Sequence, residues 1–312
     1  MPHAGNMDAD VGFDTVRRFL IEDQPVRGHW VRLGAAWREL RANGQYPPAV
    51  RALLGEAVAA SVLLAATLKF RGRLTLQMQG HGAVRLLVAQ CTHEFGVRAV
   101  AHYDDSQAAA ISGEACVGEA FRALLGEGGR FTVTIEADER NLRYQGIVPL
   151  TGESLAQSLE AYFSASEQLP TRVELAADGE QCAGLLLQKL PQTEERSGIG
   201  ALWQAVQRGM RRLDAGALLH QGLEPLLGIV LPEHDVRLFR GIAVAFECRC
   251  GEGRVTTLLR ALGAEEVREI LAEEGAVTVT CEFCRRPYRF DAQAVEALFT
   301  DSGAADISPL IH

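Results

Sequence analysis

The chain opens with a mixed pattern that leads into a long apolar segment. Residues 13–45 alternate irregularly between apolar and polar positions around Trp30 and Trp37, and they predict a strand or helix that leads into a helix. Two prolines then precede an apolar run over about 49–69, which predicts a long helix because proline fits a first helical turn. Its uncharged centre is shorter than the ~20 residues that a membrane span needs, so we expect a buried core helix.

Short β-prone segments separated by glycine or polar turns dominate the next part of the chain. The predicted strands are 74–80, 84–90, 96–103, 131–137, 144–150, 171–177 and 182–190. A polar helix is expected at about 152–166. Several strands with one long apolar helix predict an α+β domain with a mixed sheet over residues 1–190.

Residues 191–240 carry much apolar surface but only weak local signals. After a polar break, one helical stripe is formed by residues at spacings of three and four, namely Ile199, Leu202, Val206, Met210 and Leu213. Residues 214–235 have no clean period. This stretch therefore predicts a helical linker that needs a neighbour to pack on. The alternative is an ordinary second helical layer of the core.

Residues 241–312 predict a small C-terminal domain. Val267, Ile270 and Leu271 share one helix face that ends at Gly275, and two short strands near 277–280 and 287–290 precede a last helix. A domain of this size buries a small core and often needs a covalent or metal cross-link.

Composition places the chain among soluble globular proteins. Its 312 residues are 47% hydrophobic and 23% charged. They include 31 Lys and Arg and 40 Asp and Glu, which gives a net charge of −9. This sign argues against general binding to nucleic acid or to an anionic membrane. The first residues show no basic and apolar leader, so we expect a cytoplasmic protein.

Four of the seven cysteines fall in the last quarter of the chain. Cys248 and Cys250 form one close pair, and Cys281 and Cys284 form a second pair 30 residues later. Permanent disulfides are unusual in the cytosol, so paired cysteines there indicate a metal or redox site. No histidine lies between 235 and 311, so a site in this segment uses four sulfurs, which zinc accepts tetrahedrally at about 2.3 Å. The alternative is four free core cysteines.

The same cysteines suit redox chemistry. A disulfide between Cys248 and Cys250 closes a short ring, so we expect it to be strained and easily reduced. Three arginines lie beside the pairs in sequence and favour the reactive thiolate, namely Arg249, Arg285 and Arg286. Simple charge balance on a solvated face explains these arginines equally well.

With these cysteines the chain resembles the 33 kDa heat-shock chaperone family of redox-regulated holdases. The order Cys-Arg-Cys, a 30-residue spacer and Cys-Glu-Phe-Cys carries the resemblance. Further matching segments are 65–70, 144–148, 162–172 and 265–275. The resemblance spans about 13–299, and the chain departs from it mainly at its N-terminus and in 192–230.

The resemblance implies an ATP-independent chaperone that is not an enzyme. In its reduced, inactive form it holds one zinc ion through Cys248, Cys250, Cys281 and Cys284. Oxidation to Cys248–Cys250 and Cys281–Cys284 disulfides releases the zinc, unfolds 241–312 and the 191–240 linker, and uncovers apolar surface that binds unfolded client proteins. Residues 1–190 then serve client binding and dimerisation, and the oxidised form is expected to be a homodimer.

Two other functions are weighed against this one. A constitutive zinc ribbon would use the metal structurally and bind nucleic acid or protein, which the negative charge disfavours. A thiol–disulfide oxidoreductase would place its cysteine pair after a strand and at a helix start, whereas Cys281 and Cys284 are predicted between two strands. The remaining cysteines, Cys91, Cys116 and Cys182, are expected to pack as small apolar residues.

Overall fold

The structure of the chain is a computed structural model that describes residues 13–111, 117–137, 142–191 and 199–300. Helices and strands are interspersed throughout these residues, which confirms the α+β class. Contacts divide the chain into two compact units, the first ending at Glu247 and the second beginning at Cys248. The functional division of the chain near 190 and 240 stays a prediction.

The first unit contains two sheets and the helices that cover them. Its strands are β1 (Thr15–Ile21), β2 (Val26–Leu33), β3 (Gly72–Gln79), β4 (Val84–Thr92), β5 (Gly96–Tyr103), β6 (Arg130–Ala137), β7 (Leu142–Pro149), β8 (Thr171–Ala177), β9 (Cys182–Lys189), β10 (Val236–Leu238), β11 (Ile242–Ala243) and β12 (Ala245–Phe246). Its helices are α1 (Ala35–Arg41), α2 (Pro48–Thr67), α3 (Asp105–Ala109), α4 (Glu119–Leu125), α5 (Leu155–Tyr162), α6 (Ile199–Met210), α7 (Ala215–His220) and α8 (Leu223–Val230). A π-helical turn, Phe163–Glu167, extends α5.

Both sheets are built mainly from antiparallel neighbours. The first sheet has the order β10-β1-β2-β9-β8, with β11 also pairing with β1. The second has the order β12-β5-β4-β3-β6-β7, in which the short β12 runs parallel to β5. The predicted strands from 74 to 190 are confirmed as β3 to β9. Buried side chains alternate in β3, as expected for a strand with one covered face, whereas β9 is buried along almost its whole length.

The long helix α2 packs against strands of both sheets. Burial covers 17 of its 20 residues, which explains why the sequence is apolar on every side of the helix. Within the described residues it is also the one helix with the length and composition of a membrane span, but 89% of the relevant window is buried in the fold. The prediction of a core helix is confirmed. We call the cluster around it the central core, which includes Val31, Trp37, Leu53, Leu76 and Phe131.

The helices α6, α7 and α8 cover the opposite face of the first sheet. Together they form a second cluster, the outer core, which includes Phe19, Ile21, Val26, Trp30, Leu185, Leu187, Leu202, Val206, Met210, Leu219, Leu226 and Val230. The stripe predicted from Ile199 onward is confirmed as α6, with Leu202, Val206 and Met210 buried. The segment without a clean period forms two short helices whose apolar residues pack on the sheet.

The prediction for residues 13–45, a strand or helix that leads into a helix, left the position of the helix open. Residues Val26–Leu33 form β2, and a short helix begins only at Ala35. The reason is that β2 is buried on both faces, with Val31 in the central core and Trp30 in the outer core. A strand covered on both sides loses the apolar and polar alternation that identifies a strand in sequence.

Substituting Gly28 by alanine is expected to lower the unfolding free energy of the first unit by about 1–3 kcal/mol. A Cβ at Gly28 would lie 1.9 Å from Cζ of Phe19, whose ring is fully buried opposite on β1. Urea unfolding followed by tryptophan fluorescence reports on this unit, because all tryptophans lie in it, namely Trp30, Trp37 and Trp203.

The matched control for this substitution is Gly228→Ala in α8. A Cβ there has no neighbour within 4 Å, so helix propensity alone predicts no loss and a gain of up to about 1 kcal/mol. Equal destabilisation by the two substitutions would contradict the packing of Gly28 beneath Phe19.

The second unit folds around a hairpin. Its elements are α9 (Glu252–Leu262), α10 (Ala264–Glu274), β13 (Val277–Thr280), β14 (Pro287–Phe290) and α11 (Ala292–Thr300). The predicted helix that ends at Gly275 is confirmed, with Gly275 at a φ of 74° as the C-terminal cap. The two strands and the last helix are also confirmed, whereas α9 was not predicted. The core of the second unit is small and consists of Val255, Leu259, Val267, Val277, Phe290, Val295 and Leu298.

Candidate metal centre

The hairpin β13–β14 positions the second cysteine pair. The strands pair from Val277 with Phe290 to Thr280 with Pro287, so Cys281 and Cys284 lie in the turn between them. The Cys281 N–H donates to the Arg286 carbonyl at 3.0 Å, and the Arg285 N–H donates to the Cys281 carbonyl at 2.8 Å. These bonds close a tight turn, in which Arg285 takes a φ of 54°. The turn presents both sulfur atoms on the same side.

The first cysteine pair is positioned by the start of α9. Cys250 directly precedes Gly251, the N-cap of this helix, whose carbonyl accepts from the Arg254 and Val255 N–H groups at 3.0 and 3.2 Å. Val255 and Leu259 are buried in the core of the second unit. Burial of these two side chains anchors α9 in that core, so the residues before the helix lie near the hairpin turn.

The four sulfur atoms meet in a single cluster, which we call the cysteine cluster (Cys248, Cys250, Cys281 and Cys284). The Sγ atoms of Cys248 and Cys281 are 3.6 Å apart, those of Cys250 and Cys284 are 3.3 Å apart, and all four lie within 4.8 Å of one another. A tetrahedral zinc ion with Zn–S of about 2.3 Å separates its ligands by about 3.8 Å. The residues present therefore fit a metal ion bound by four sulfurs.

Two side chains on the hairpin support negative charge at the cluster. The Tyr288 hydroxyl donates to Cys250 Sγ at 3.0 Å. Desolvation raises the pKa of the Cys250 thiol, but the hydrogen bonds from Tyr288 and the neighbouring cysteines outweigh it and lower this pKa to about 7. The Arg286 guanidinium has a raised pKa because of its hydrogen bond with Tyr288 and, after that, the negative charges of Tyr288, Cys250 and Cys284. A thiolate is thus favoured at Cys250.

Cys284 behaves differently from Cys250. Burial, reinforced by hydrogen bonds with neighbouring thiols, raises the pKa of Cys284 to about 12, and burial also raises that of Cys248. Four thiolates confined in one place repel one another, so full deprotonation needs a bound cation. The chemistry of this donor set is that of a site for a soft divalent metal.

The structure places two of the other three cysteines away from this cluster. Cys91 and Cys182 are fully buried in the first unit, and burial raises the pKa of both thiols. Their prediction as small apolar residues is confirmed, whereas Cys116 lies outside the described residues. Tyr288 was missed by the sequence argument. Its only signal was its place four residues after Cys284 on a predicted strand.

The comparison with family models decides the family. The model described as Hsp33 protein matches residues 14–291, which is most of the chain. The chain belongs to the Hsp33 family. The resemblance inferred from the cysteine spacing is therefore confirmed.

Relatives across the Hsp33 family match almost the full chain. The protein named 33 kDa chaperonin from Chromobacterium violaceum is 42% identical over 287 residues, covering 92% of this chain and 94% of that protein. The 33 kDa chaperonin of Nitrosococcus oceani is 40% identical over 302 residues, covering 96% of this chain and 99% of that protein.

A solved structure also shares the fold. The crystal structure of the 33 kDa chaperonin (heat shock protein 33 homolog) from Thermotoga maritima matches with a TM-score of 0.76 and 22% identity. The match covers 93% of this chain and 99% of that one. At this identity the likeness shows the fold alone.

Proposed function

We propose that this chain is a redox-regulated, ATP-independent holdase, a chaperone that binds unfolding proteins under oxidative stress. The observation that carries the proposal is the cysteine cluster, four sulfurs within 4.8 Å of one another in a chain of the Hsp33 family. The relatives named 33 kDa chaperonin support a chaperone rather than an enzyme. We propose a cytoplasmic location, where reduced thiols are the resting state.

The reduced form uses the cysteine cluster as its ligand set. When bound, zinc would cross-link the segment before α9 to the turn between β13 and β14. The two segments otherwise share a small core, and metal binding in such units contributes folding free energy on the order of 10 kcal/mol. The Tyr288 hydroxyl and the Arg286 guanidinium stabilise the negative charge at Cys250. The second unit stays folded only while these four sulfurs remain thiolates.

Oxidation removes the ligands in two balanced steps. In each step two thiolates lose two electrons and form one S–S bond, and one hydrogen peroxide takes up these electrons with two protons and leaves as two water molecules. Hypochlorous acid gives the same disulfide with chloride and water. We propose that the products are the Cys248–Cys250 and Cys281–Cys284 disulfides, which no longer hold a metal.

Loss of the second unit then frees the preceding helices. We propose that unfolding spreads into residues 191–240, which include α6, α7 and α8. These helices cover the outer core, so their release exposes apolar side chains of the first sheet such as Trp30 and Leu185. Exposed apolar surface of this kind binds unfolded clients and favours self-association, for which we propose a homodimer of the oxidised form.

The proposal is tested by comparing reduced and oxidised protein with a heat-denatured client whose aggregation is followed by light scattering. We expect suppression only by the form treated with hypochlorite, together with release of one zinc per chain to a chromogenic chelator and loss of four thiols. Peptide mapping should then find the two proposed disulfides. Cys91→Ala is the control, because Cys91 is buried outside the cluster and the response should persist.

Equal protection by the reduced and oxidised forms would overturn the proposal. Such a result, combined with tight nucleic-acid binding by the reduced form, would favour a constitutive zinc ribbon. Rapid reduction of insulin disulfides would instead indicate an oxidoreductase, although Cys281 and Cys284 lie between two strands and not at a helix start.

A further inference from the structure

An extended segment at the end of the first unit covers a sheet edge. We call residues Val236–Phe246 the strap. It contains β10, β11 and β12, and only Glu247 separates it from Cys248. The strap pairs with β1 in the first sheet and, through β12, with β5 in the second. It therefore lies at the margin of both sheets, immediately before the cysteine cluster in the chain.

Backbone hydrogen bonds join the strap region to the whole length of β1. Leu238 lies opposite Phe19 and Val236 opposite Ile21, while Ile242 lies opposite Val16. Further bonds run from the Glu22 N–H to the Asp235 carbonyl (2.9 Å), from the Phe239 N–H to the Arg18 carbonyl (3.0 Å) and from the Val244 N–H to the Asp14 carbonyl (2.9 Å). Without the strap, β1 would be an open edge with unpaired donors and acceptors.

Few buried side chains hold the strap in place. Val236 and Leu238 are partly buried against the outer core, Val244 is buried in the central core, and Phe246 packs against it. Most of the others are exposed, including Ile242 at 53% and Phe239 at 37%. Exposed contacts add an ion pair between Arg237 and Glu22 at 2.8 Å and the Arg18 guanidinium over the Phe239 ring. Segments with few buried contacts and exposed hydrogen bonds open at low free-energy cost. The strap is thus a weakly held segment at the junction between the proposed linker (191–240) and the proposed C-terminal domain (241–312).

We propose that release of the strap opens the outer edge of β1, and that an extended segment of an unfolded client adds there as a new strand. This inference rests on the proposed function, for which it names the binding mode. The strap itself shows what the edge accepts, namely an extended chain with apolar side chains at alternate positions, as in Val236 and Leu238. Strand addition draws affinity from backbone hydrogen bonds, so it tolerates many client sequences.

The opposite edge of the second sheet cannot provide such a switch. β7 ends that sheet, and within the described residues no strand pairs with its outer side. Its side chains include the exposed Tyr144 and Ile147. Because no described strand covers this edge in the folded chain, we expect that binding there would not depend on oxidation. The edge of β1 is covered in the folded form and is joined through the chain to the cysteine cluster.

The test uses a fluorescent peptide with the sequence of residues 235–244, measured against the full-length protein. In a strand, the N–H and C=O of one residue point to the same side, and this side alternates along the chain. The Phe239 N–H faces β1, so the Arg237 N–H, two residues earlier, also faces β1. The N–H groups of Val236 and Leu238 face away from β1. Peptides N-methylated at 237 and 239, or at 236 and 238, therefore have matched composition but block opposite sides.

We expect the oxidised protein to bind the unmodified peptide and the reduced protein not to bind it. Methylation at 237 and 239 should weaken binding about tenfold or more, while methylation at 236 and 238 should change it less than about twofold. The peptide should also displace a bound unfolded client. Equal binding of the two methylated peptides, or no binding of any peptide, overturns the proposal.

A variant opens the edge without oxidation. Val236→Asp removes an apolar contact with the outer core, so the reduced variant should bind the peptide about tenfold more tightly than the reduced parent. Val117→Asp, at a side chain that is 56% exposed, is the matched control and should stay closed. An equal response of the two variants overturns the proposal.

The client assay separates the two proposals. Oxidised protein that suppresses aggregation but does not bind the peptide retains the proposed function and rejects strand addition at β1. Oxidised protein that suppresses nothing rejects the proposed function. A peptide that dissociates an oxidised dimer without displacing client assigns the edge to a second copy of this chain and overturns the inference.

Discussion

Replacing all four members of the cysteine cluster by serine is expected to unfold the second unit while the central core of the first unit stays folded. The serine hydroxyls are far weaker metal ligands than thiolates, so the variant should lose a contribution on the order of 10 kcal/mol to the folding of this unit. The core that remains has seven buried apolar side chains and, at that size, is expected to be marginal.

Hydrogen exchange measures this effect directly. The amides of α10 and of the β13–β14 hairpin should exchange at rates close to those of an unfolded chain, and the zinc content should fall from one per chain to none. Tryptophan fluorescence should change only as far as release of α6 to α8 exposes Trp203 and Trp30, whereas Trp37 in the central core should stay buried. Cys91→Ala controls for loss of a thiol as such and should keep both its zinc and its amide protection.

Persisting protection in the second unit of the serine variant would show that its apolar core suffices for folding. In that case oxidation could not act by unfolding this unit, and the proposed switch would be absent. The result would leave the Hsp33 family membership untouched, since that rests on the match over residues 14–291.

The sequence best predicted the helices and strands that bury one face in a core and expose the other to solvent. In β3 the buried side chains of Leu74, Leu76 and Met78 alternate with partly exposed ones, and this strand was predicted at nearly its observed position. The helix α10 shows a comparable stripe, and its end at Gly275 follows from the left-handed conformation that glycine adopts readily. Such local patterns carry their own structural information.

Elements whose partners are distant in sequence were not predictable. The sequence did not distinguish β2 from a helix, because α2 covers one of its faces and the helices α6 to α8 cover the other, which removes its alternation. α9, in contrast, was missed although its sequence carries a helical signal: Val255, Leu258, Leu259 and Leu262 recur at the spacing of one helix face. The strap consists of strands of two or three residues, which only their pairing with β1 and β5 makes visible.

The spacing of the cysteines was enough to predict that they meet. The structure brings the four sulfurs within 4.8 Å of one another, although their role as zinc ligands stays a prediction. The contact of Tyr288 with Cys250 was not foreseen, because it depends on the register of the hairpin. Spacing indicates which ligands are available, whereas register determines which other side chains reach them.

Substituting Glu56 by glutamine is expected to stabilise the first unit by an amount that grows with pH. Glu56 is buried in α2, and desolvation, followed by the negative charge of Glu174, raises its pKa to about 8. Desolvation and the charge of Glu160 likewise raise the pKa of Glu174 to about 7, against the opposing effect of Arg172. The folded chain therefore holds Glu56 protonated at neutral pH, whereas the unfolded chain ionises it.

The direction of the effect follows from proton binding. The pKa of Glu56 is about 4.5 in the unfolded state and about 8 in the folded state. Between these two pH values the unfolded state has released the proton and the folded state keeps it, so the folded state loses relative stability as the pH rises. Glutamine carries no such proton and removes the penalty. The gain from Glu56→Gln should be about 1 kcal/mol at pH 5, about 3 kcal/mol at pH 7 and on the order of 5 kcal/mol at pH 9.

Urea unfolding followed by tryptophan fluorescence at these three pH values tests the prediction. The difference between variant and parent cancels the contribution of His29, whose pKa is lowered to about 3 by burial and which therefore stabilises the fold above its unfolded-state pKa near 6.5. Glu127→Gln, at an exposed loop position, is the control and should give no gain at any pH. A gain that is the same at pH 5 and pH 9 would mean that Glu56 is ionised in the folded protein, and hence that its carboxylate has a compensating partner within the core.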